Sequence, residues 1–176
     1  MAVNRELKLI NAYRRLSPLE LLKKAESVVD IIEFDVAVLC LRNKAVNITD
    51  RALAKRVYGL FEKILSGKYH SRPKCYAIQG LSSLARNHPE YRAPVLKRVM
   101  SLIRGRKMPV DVRKAAMDYA GRSGDTNEKF LEQLKRIATA WPLTRLVKGV
   151  PRTLQVYAKD IVDPKWRAKN IRARRK

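Results

Sequence analysis

Acidic side chains are scarce in this chain. Among 176 residues there are 16 Asp and Glu against 39 Lys and Arg, a formal net charge of +23. Cysteine is rarer still, with only Cys40 and Cys75 present. Each sits in an apolar helical context without a partner at metal-ligand spacing, so both are expected to be buried free thiols in a reducing cytoplasm. Long apolar runs are missing. VAVLCL, residues 36–41, falls far short of the roughly 20 residues that a membrane-spanning helix needs. The N-terminus, MAVNRELKLINAYRR, is amphipathic and interrupted by charge, unlike a secretory signal. No membrane partner is expected. Also absent are HExxH, GxSxG, a Gly-rich phosphate loop and any Cys/His cluster. His70 and His88 stand in turns beside Ser71 and Pro89, where an imidazole is ordinarily solvated and one alone supports little chemistry. The chain therefore reads as non-enzymatic, with no catalytic residue, metal or cofactor.

What the chain does have is amphipathic helix and positive charge. Its apolar fraction, 46%, is that of a globular protein. A solvated surface ordinarily mixes both signs, so an excess of +23 implies a polyanionic partner, with nucleic acid first and an acidic membrane surface second. The excess is unevenly placed. Residues 1–90 hold 16 basic and 9 acidic side chains, a net of +7, and residues 91–176 hold 23 and 7, a net of +16.

The N-terminal segment predicts helices throughout. Leu7, Ile10 and the pair Tyr13/Leu16 line one face over residues 3–16. Ser17-Pro18-Leu19-Glu20 is a capping box with proline at the first helical position. The helix it opens carries Leu21, Leu22, Ala25, Val28, Val29 and Ile32. FDVAVLCL, residues 34–41, fits either a continued helix or a buried strand, and helix is favoured because nothing else in the chain would pair with a strand. Thr49 suits the cap of a helix ending at Ser66-Gly67. Pro73 opens another, and Asn87 to Glu90 make a turn. Pro94 suits a first turn.

Residues 95–121 read as a helical hairpin. Val95, Val99, Leu102 and Ile103 lie on one face at helical spacing, and Arg104-Gly105-Arg106-Lys107 breaks the helix. Pro109 suits the first turn of the next helix, which carries Val112, Ala115, Ala116, Tyr119 and Ala120 on one side, and Gly121 stands where a stop is expected. The pattern recurs. Lys55-Arg56-Val57, Lys97-Arg98-Val99 and Lys135-Arg136-Ile137 are 42 and 38 residues apart, and Lys74, Arg113 and Arg152 are 39 apart both times. A period near forty with two helices per period is the sign of an α-helical solenoid. Asp125 and Glu128 form a second capping box.

PVDVRKAAMDYAGRSGD resembles the second helix of a HEAT repeat, in which a D-x-V-R-x-x-A-type run ends in Gly. RPKCYAIQGLSSLA is a looser match. GVPRTLQVYAKDI is looser still, with Gln155 and Lys159 where small or apolar residues are typical. The resemblance implies an all-α fold of stacked antiparallel hairpins, a HEAT-like solenoid, and a binding surface rather than a reaction. The expected organisation is N-terminal helices packing on the repeats (1–48), HEAT-like repeats (49–162) and a basic tail (163–176).

Two stretches are candidate phosphate contacts. Lys97, Arg104, Arg106 and Lys107 surround the turn of the hairpin, and Arg113 and Lys114 open its second helix. Basic side chains there oppose the helix dipole, which is easier to understand if an anion sits nearby. The tail supplies Lys165, Arg167, Lys169, Arg172, Arg174, Arg175 and Lys176 with no acid among them. Trp166 suits base stacking or a plug for the solenoid end, the plug favoured. Arg56, Arg98 and Arg136 suit pairing with acids on neighbouring helices as well as they suit phosphate. The compact basic body and acid-free tail resemble components of the ribosome or another ribonucleoprotein. The resemblance implies an RNA-binding, cytoplasmic protein with other ribonucleoprotein subunits as neighbours. A DNA-binding architectural or repair-associated protein in the nucleoid, and a helical protein–protein scaffold, remain open alternatives.

Overall fold

The computed structural model describes residues 2–105, 108–122, 132 and 163. Among the described residues the protein is all-helical, without strands. Seven α-helices follow one another: α1 (Ala2–Tyr13), α2 (Pro18–Ser27), α3 (Ile31–Lys44), α4 (Arg51–Ser66), α5 (Ser71–Asn87), α6 (Arg92–Arg104) and α7 (Val110–Arg122). Short 3-10 turns at Ala45–Asn47 and Pro89–Tyr91 join α3 to α4 and α5 to α6. The chain divides into two compact units, Met1–Val95 and Leu96–Lys176, with the division inside α6.

Local signals account for the starts of α2, α3 and α4. The capping box before α2 forms as expected: the Ser17 hydroxyl accepts from the Glu20 backbone N–H at 3.3 Å, and the Glu20 carboxylate accepts from the Ser17 N–H at 2.7 Å. The Ser17 hydroxyl also donates to that carboxylate at 2.7 Å, and this bond first, then the backbone one, holds the Glu20 carboxyl below its usual pKa. The apolar series through Val28, Val29 and Ile32 does not extend α2. The helix stops at Ser27, Val28 is extended, and Asp30 caps a new helix by accepting from the Glu33 N–H at 2.9 Å. A short carboxylate offering the backbone a local acceptor outweighs continued periodicity. Val29 is left 94% exposed. Asp50, one residue beyond Thr49, caps α4 through the Leu53 N–H at 2.6 Å.

FDVAVLCL lies within α3, the helical alternative. Its residues Phe34 to Val38 are all buried, which explains why no amphipathic period was visible. A helix that is apolar all round is a core helix, and α3 is the centre of the first unit, packing against α1, α2 and α5. In turn α5 packs against α4, and α2 touches α4. The α4–α5 contact has a specific cause. Gly80 on α5 lies so close to the Phe61 ring on α4 that a Cβ there would overlap it. Phe61, Leu81, Ile64 and Leu84 are fully buried, each contributing about 1.5–3 kcal/mol relative to exposure.

Polar ties hold α1 in place. The Tyr13 hydroxyl donates to the Glu33 carboxylate, and Arg72 on α5 pairs with Glu6. Burial and the Glu33 carboxylate push the Tyr13 hydroxyl well above its usual pKa. Leu7, expected on the inner face, is 55% exposed. Cys40 is buried as expected, whereas Cys75 is only half-buried.

In the second unit α6 buries Val99, Leu102 and Ile103, and α7 buries Val112, Ala116 and Met117. Ala115 is half-buried. Pro109 stands immediately before α7 instead of in its first turn, its carbonyl accepting from the Arg113 N–H at 3.1 Å. Gly121 lies within α7, which continues to Arg122, so it is not a stop.

Candidate nucleic-acid interface

On α6 the apolar residues Val99, Leu102 and Ile103 face inward, which leaves the opposite side of the helix to Lys97 and Arg104. Both are exposed, with exposed Ser101 between them. Two helical turns separate the pair, so their cationic groups can reach phosphates about 10 Å apart along one face. The α6 end is closed by the Gly105 N–H, which donates to the Ser101 and Leu102 carbonyls at 3.0 and 3.3 Å.

The second-helix candidates divide. Lys114 is half-buried. Arg113, expected on phosphate, is 8% exposed, and its Nε donates to the Ile103 carbonyl at 3.1 Å. Burial holds its guanidinium below its usual pKa. The Ile103 carbonyl lies in the last turn of α6, where carbonyls lack helical partners and a basic side chain can satisfy them. Arg113 is thus a structural cap across the hairpin, which removes it from the surface set. Arg106, Lys107, Lys165, Arg167, Lys169, Arg172, Arg174, Arg175 and Lys176 lie outside the described residues, as do Trp166, the capping box at Asp125 and the third repeat of the Lys-Arg series.

In the first unit most of the acids are held by the fold. Glu26 pairs with Arg56 at 3.2 Å, linking α2 to α4, and Asp30 pairs with Arg5 at 3.3 Å. Glu33 takes Tyr13 and lies 3.7 Å from Lys24, while Glu20 and Asp50 serve as helix-start acceptors. Arg56 therefore takes the ion-pairing role, of the two left open for it. Exposed Lys8, Arg14, Arg15, Arg51, Lys55 and Arg86 pair with no carboxylate among the described residues.

Neither histidine is a freely solvated turn residue. His88 is 4% exposed, and its Nε2 lies 2.9 Å from the Ile48 carbonyl, an acceptor, so Nε2 carries the proton. Half-exposed His70 meets Asp35 at 3.0 Å. Asp35 is 5% exposed, and burial raises its carboxyl above the usual range despite the histidine. Both partners lie 35 or more residues away in the chain, a range that no local motif reports. Among the described residues no group of His, Cys, Asp and Glu could hold a metal ion, and no helix is long and apolar enough to cross a membrane. Compared with known proteins, the chain matches no family model, no curated protein and no solved structure.

Proposed function

We propose that this protein is a non-enzymatic nucleic-acid-binding protein that contacts phosphates through a basic face and tail, with RNA the favoured target and a ribosomal subunit or another ribonucleoprotein the favoured setting in the cytoplasm. Its body is a HEAT-like stack of antiparallel hairpins. That reading is supported by α2–α3 and α4–α5 packing as hairpins whose first helices touch and whose second helices pack together. The observation that carries the functional reading is the contrast between occupied acids and surplus cations. Glu6, Glu20, Glu26, Asp30, Glu33, Asp35 and Asp50 of the first unit serve as caps or ion-pair partners, while Lys97 is exposed in a half of the chain carrying 23 basic against 7 acidic side chains. Phosphate contacts release condensed counterions, so binding should weaken steeply with salt.

The first test is a sucrose gradient of native lysate, with and without RNase, blotted for the protein. Co-migration with a ribosomal subunit through a high-salt wash is the expected result. A protein that stays at the top of both gradients would remove the ribosomal reading, and sedimentation with the nucleoid would move it to DNA.

A further inference from the structure

A cleft of about 640 Å³ opens in the first unit between the end of α2, the start of α3, α4 and the link from Gly67 to His70. Small-ligand pockets span roughly 300–1,000 Å³. The cleft exists because the helix breaks at Ser27: the extended segment before Asp30 carries Val28 and Val29 along its wall, and Ile31 follows. Val29 and Ile31 are 94% and 68% exposed, an unusual state for two adjoining large aliphatic side chains. Phe34 and Leu60 complete the apolar lining, with Tyr69 stacked on Phe34 at a ring separation of 5.1 Å.

Much of the rest of the lining is made of basic residues. Lys63, Lys68 and His70 border the cleft, and its single acid, Glu26, is occupied by Arg56. Lys63 and Lys68 are exposed and pair with no carboxylate among the described residues. His70 is oriented by buried Asp35 and also stands at the N-cap position just before α5, where its side chain makes no capping bond. The partial positive charge of that helix end adds to the lysines.

A third observation is independent of charge. Gly59 lies in the middle of α4 on the cleft wall, and a Cβ built there meets nothing within 4 Å. Glycine weakens a helix interior by about 1 kcal/mol relative to alanine. Gly80 has a packing reason, the Phe61 ring, and Gly59 has none. A side chain at this position would extend into open space beside the cleft.

The geometry points to this cleft as a binding site for a small amphipathic anion, a carboxylate or phosphate head on an aliphatic or aromatic body. The head lies among Lys63, Lys68 and His70, and the body lies against Val28, Ile31 and Leu60. This site is separate from the phosphate contacts proposed for α6 and the tail.

The test is calorimetric titration of the full chain with decanoate and with decyl phosphate, below their micellar concentrations, and with decanol as the uncharged control. One anion per chain is expected, with decanol binding more weakly, and the preferred anion identifies the head. Gly59→Leu should fill the cleft and weaken binding about tenfold or more without lowering the melting temperature, since leucine favours helix and finds open space. Gly59→Ala provides a check on folding, because it adds helix propensity and little bulk. Lys63→Ala with Lys68→Ala should also weaken binding about tenfold, while Arg51→Ala with Lys55→Ala, the same charge lost from exposed positions, should leave it within about twofold. Stoichiometry well above one, equal weakening by the two double variants, decanol binding as tightly as the anions, or unchanged affinity in folded Gly59→Leu would each overturn the proposal. Salt-sensitive RNA binding is untouched by any of these outcomes.

Discussion

The two units use their charge differently. Met1–Val95 has 17 basic and 9 acidic side chains, and Leu96–Lys176 has 22 and 7. In the first unit Glu26, Asp30, Glu33 and Asp35 each hold a partner on another element or start a helix. In the second, even one-to-one pairing of every acid would leave 15 cations without an acid of their own. The acids of the first unit therefore belong mainly to the architecture, although eight cations remain in excess of them. The second unit carries an excess of 15 cations against eight in the first, on a shorter stretch of chain, which is the imbalance that the proposed polyanion would offset.

Removing residues 164–176 should have the largest effect. That segment contains seven basic side chains, and each lost phosphate contact lowers the salt slope by about 0.7 on single strands. Filter binding to RNA over a salt series should show affinity falling by roughly two orders of magnitude or more at low salt, with the helical circular-dichroism signal of α1–α5 kept. Equal loss after removing the cations on and just after α1, Lys8, Arg14 and Arg15, would erase the distinction between the units.

Gly80→Val tests what holds the first unit. A branched side chain must displace the Phe61 ring, and overpacking of this kind costs about 1–3 kcal/mol. Urea unfolding at low and high salt should give that loss at both, because packing is insensitive to screening. A loss confined to one salt condition would mean that charge, not the α4–α5 contact, governs this unit.

Arg113→Met places the second unit's one buried guanidinium among the described residues on the correct side of the line. Removing it leaves the Ile103 carbonyl without its donor, at about 1–3 kcal/mol. The RNA salt slope should not change. A slope reduced by about one would return Arg113 to the phosphate contacts. Ser17→Ala should cost about 1 kcal/mol of thermal stability, and a melting temperature equal to the wild type would show that the capping box is idle.

Asp35→Asn has the subtlest readout. Burial raises the Asp35 carboxyl above its ordinary value of 3.8. A group whose folded-state pKa is raised gives stability that is complete below its unfolded pKa and is lost as pH rises through the folded one. Asparagine should flatten that limb of the stability–pH curve. Asp30, held low first by the Glu33 N–H, works in the opposite direction, its contribution disappearing as pH falls. Parallel curves for the wild type and Asp35→Asn would contradict the assignment.

Helix identity was legible where the signal was local. Ser17 to Glu20 predicted a capping box because all its atoms lie within four residues, and α3 was favoured as helix for want of any strand partner. Boundaries were harder. Thr49 and Asp50 are both good caps, and only the turn geometry chooses between them. Val28, Val29 and Ile32 continued an apolar period that Asp30 interrupted, although Asp30 with Glu33 three residues on was a readable start signal. The burial of His88 and Arg113 was hidden because each is fixed by a carbonyl on another element, Ile48 and Ile103. The cleft is assembled from three separate segments, which no linear period reports. Gly59, a helix-weakening residue between Tyr58 and Leu60, was its one trace in the sequence.

The bond from Tyr13 to Glu33 has a use at the bench. Both tryptophans, Trp141 and Trp166, belong to the second unit, so ultraviolet signals from the first unit come from Tyr13, Tyr58, Tyr69, Tyr76 and Tyr91. Tyr13 is held protonated by burial and an adjacent carboxylate, and burial also raises Tyr91. In an alkaline titration followed at the tyrosinate absorption band, the Tyr13 phenol will ionise late, as α1 lifts away from α3. The chain thus carries its own optical gauge for the release of its first helix.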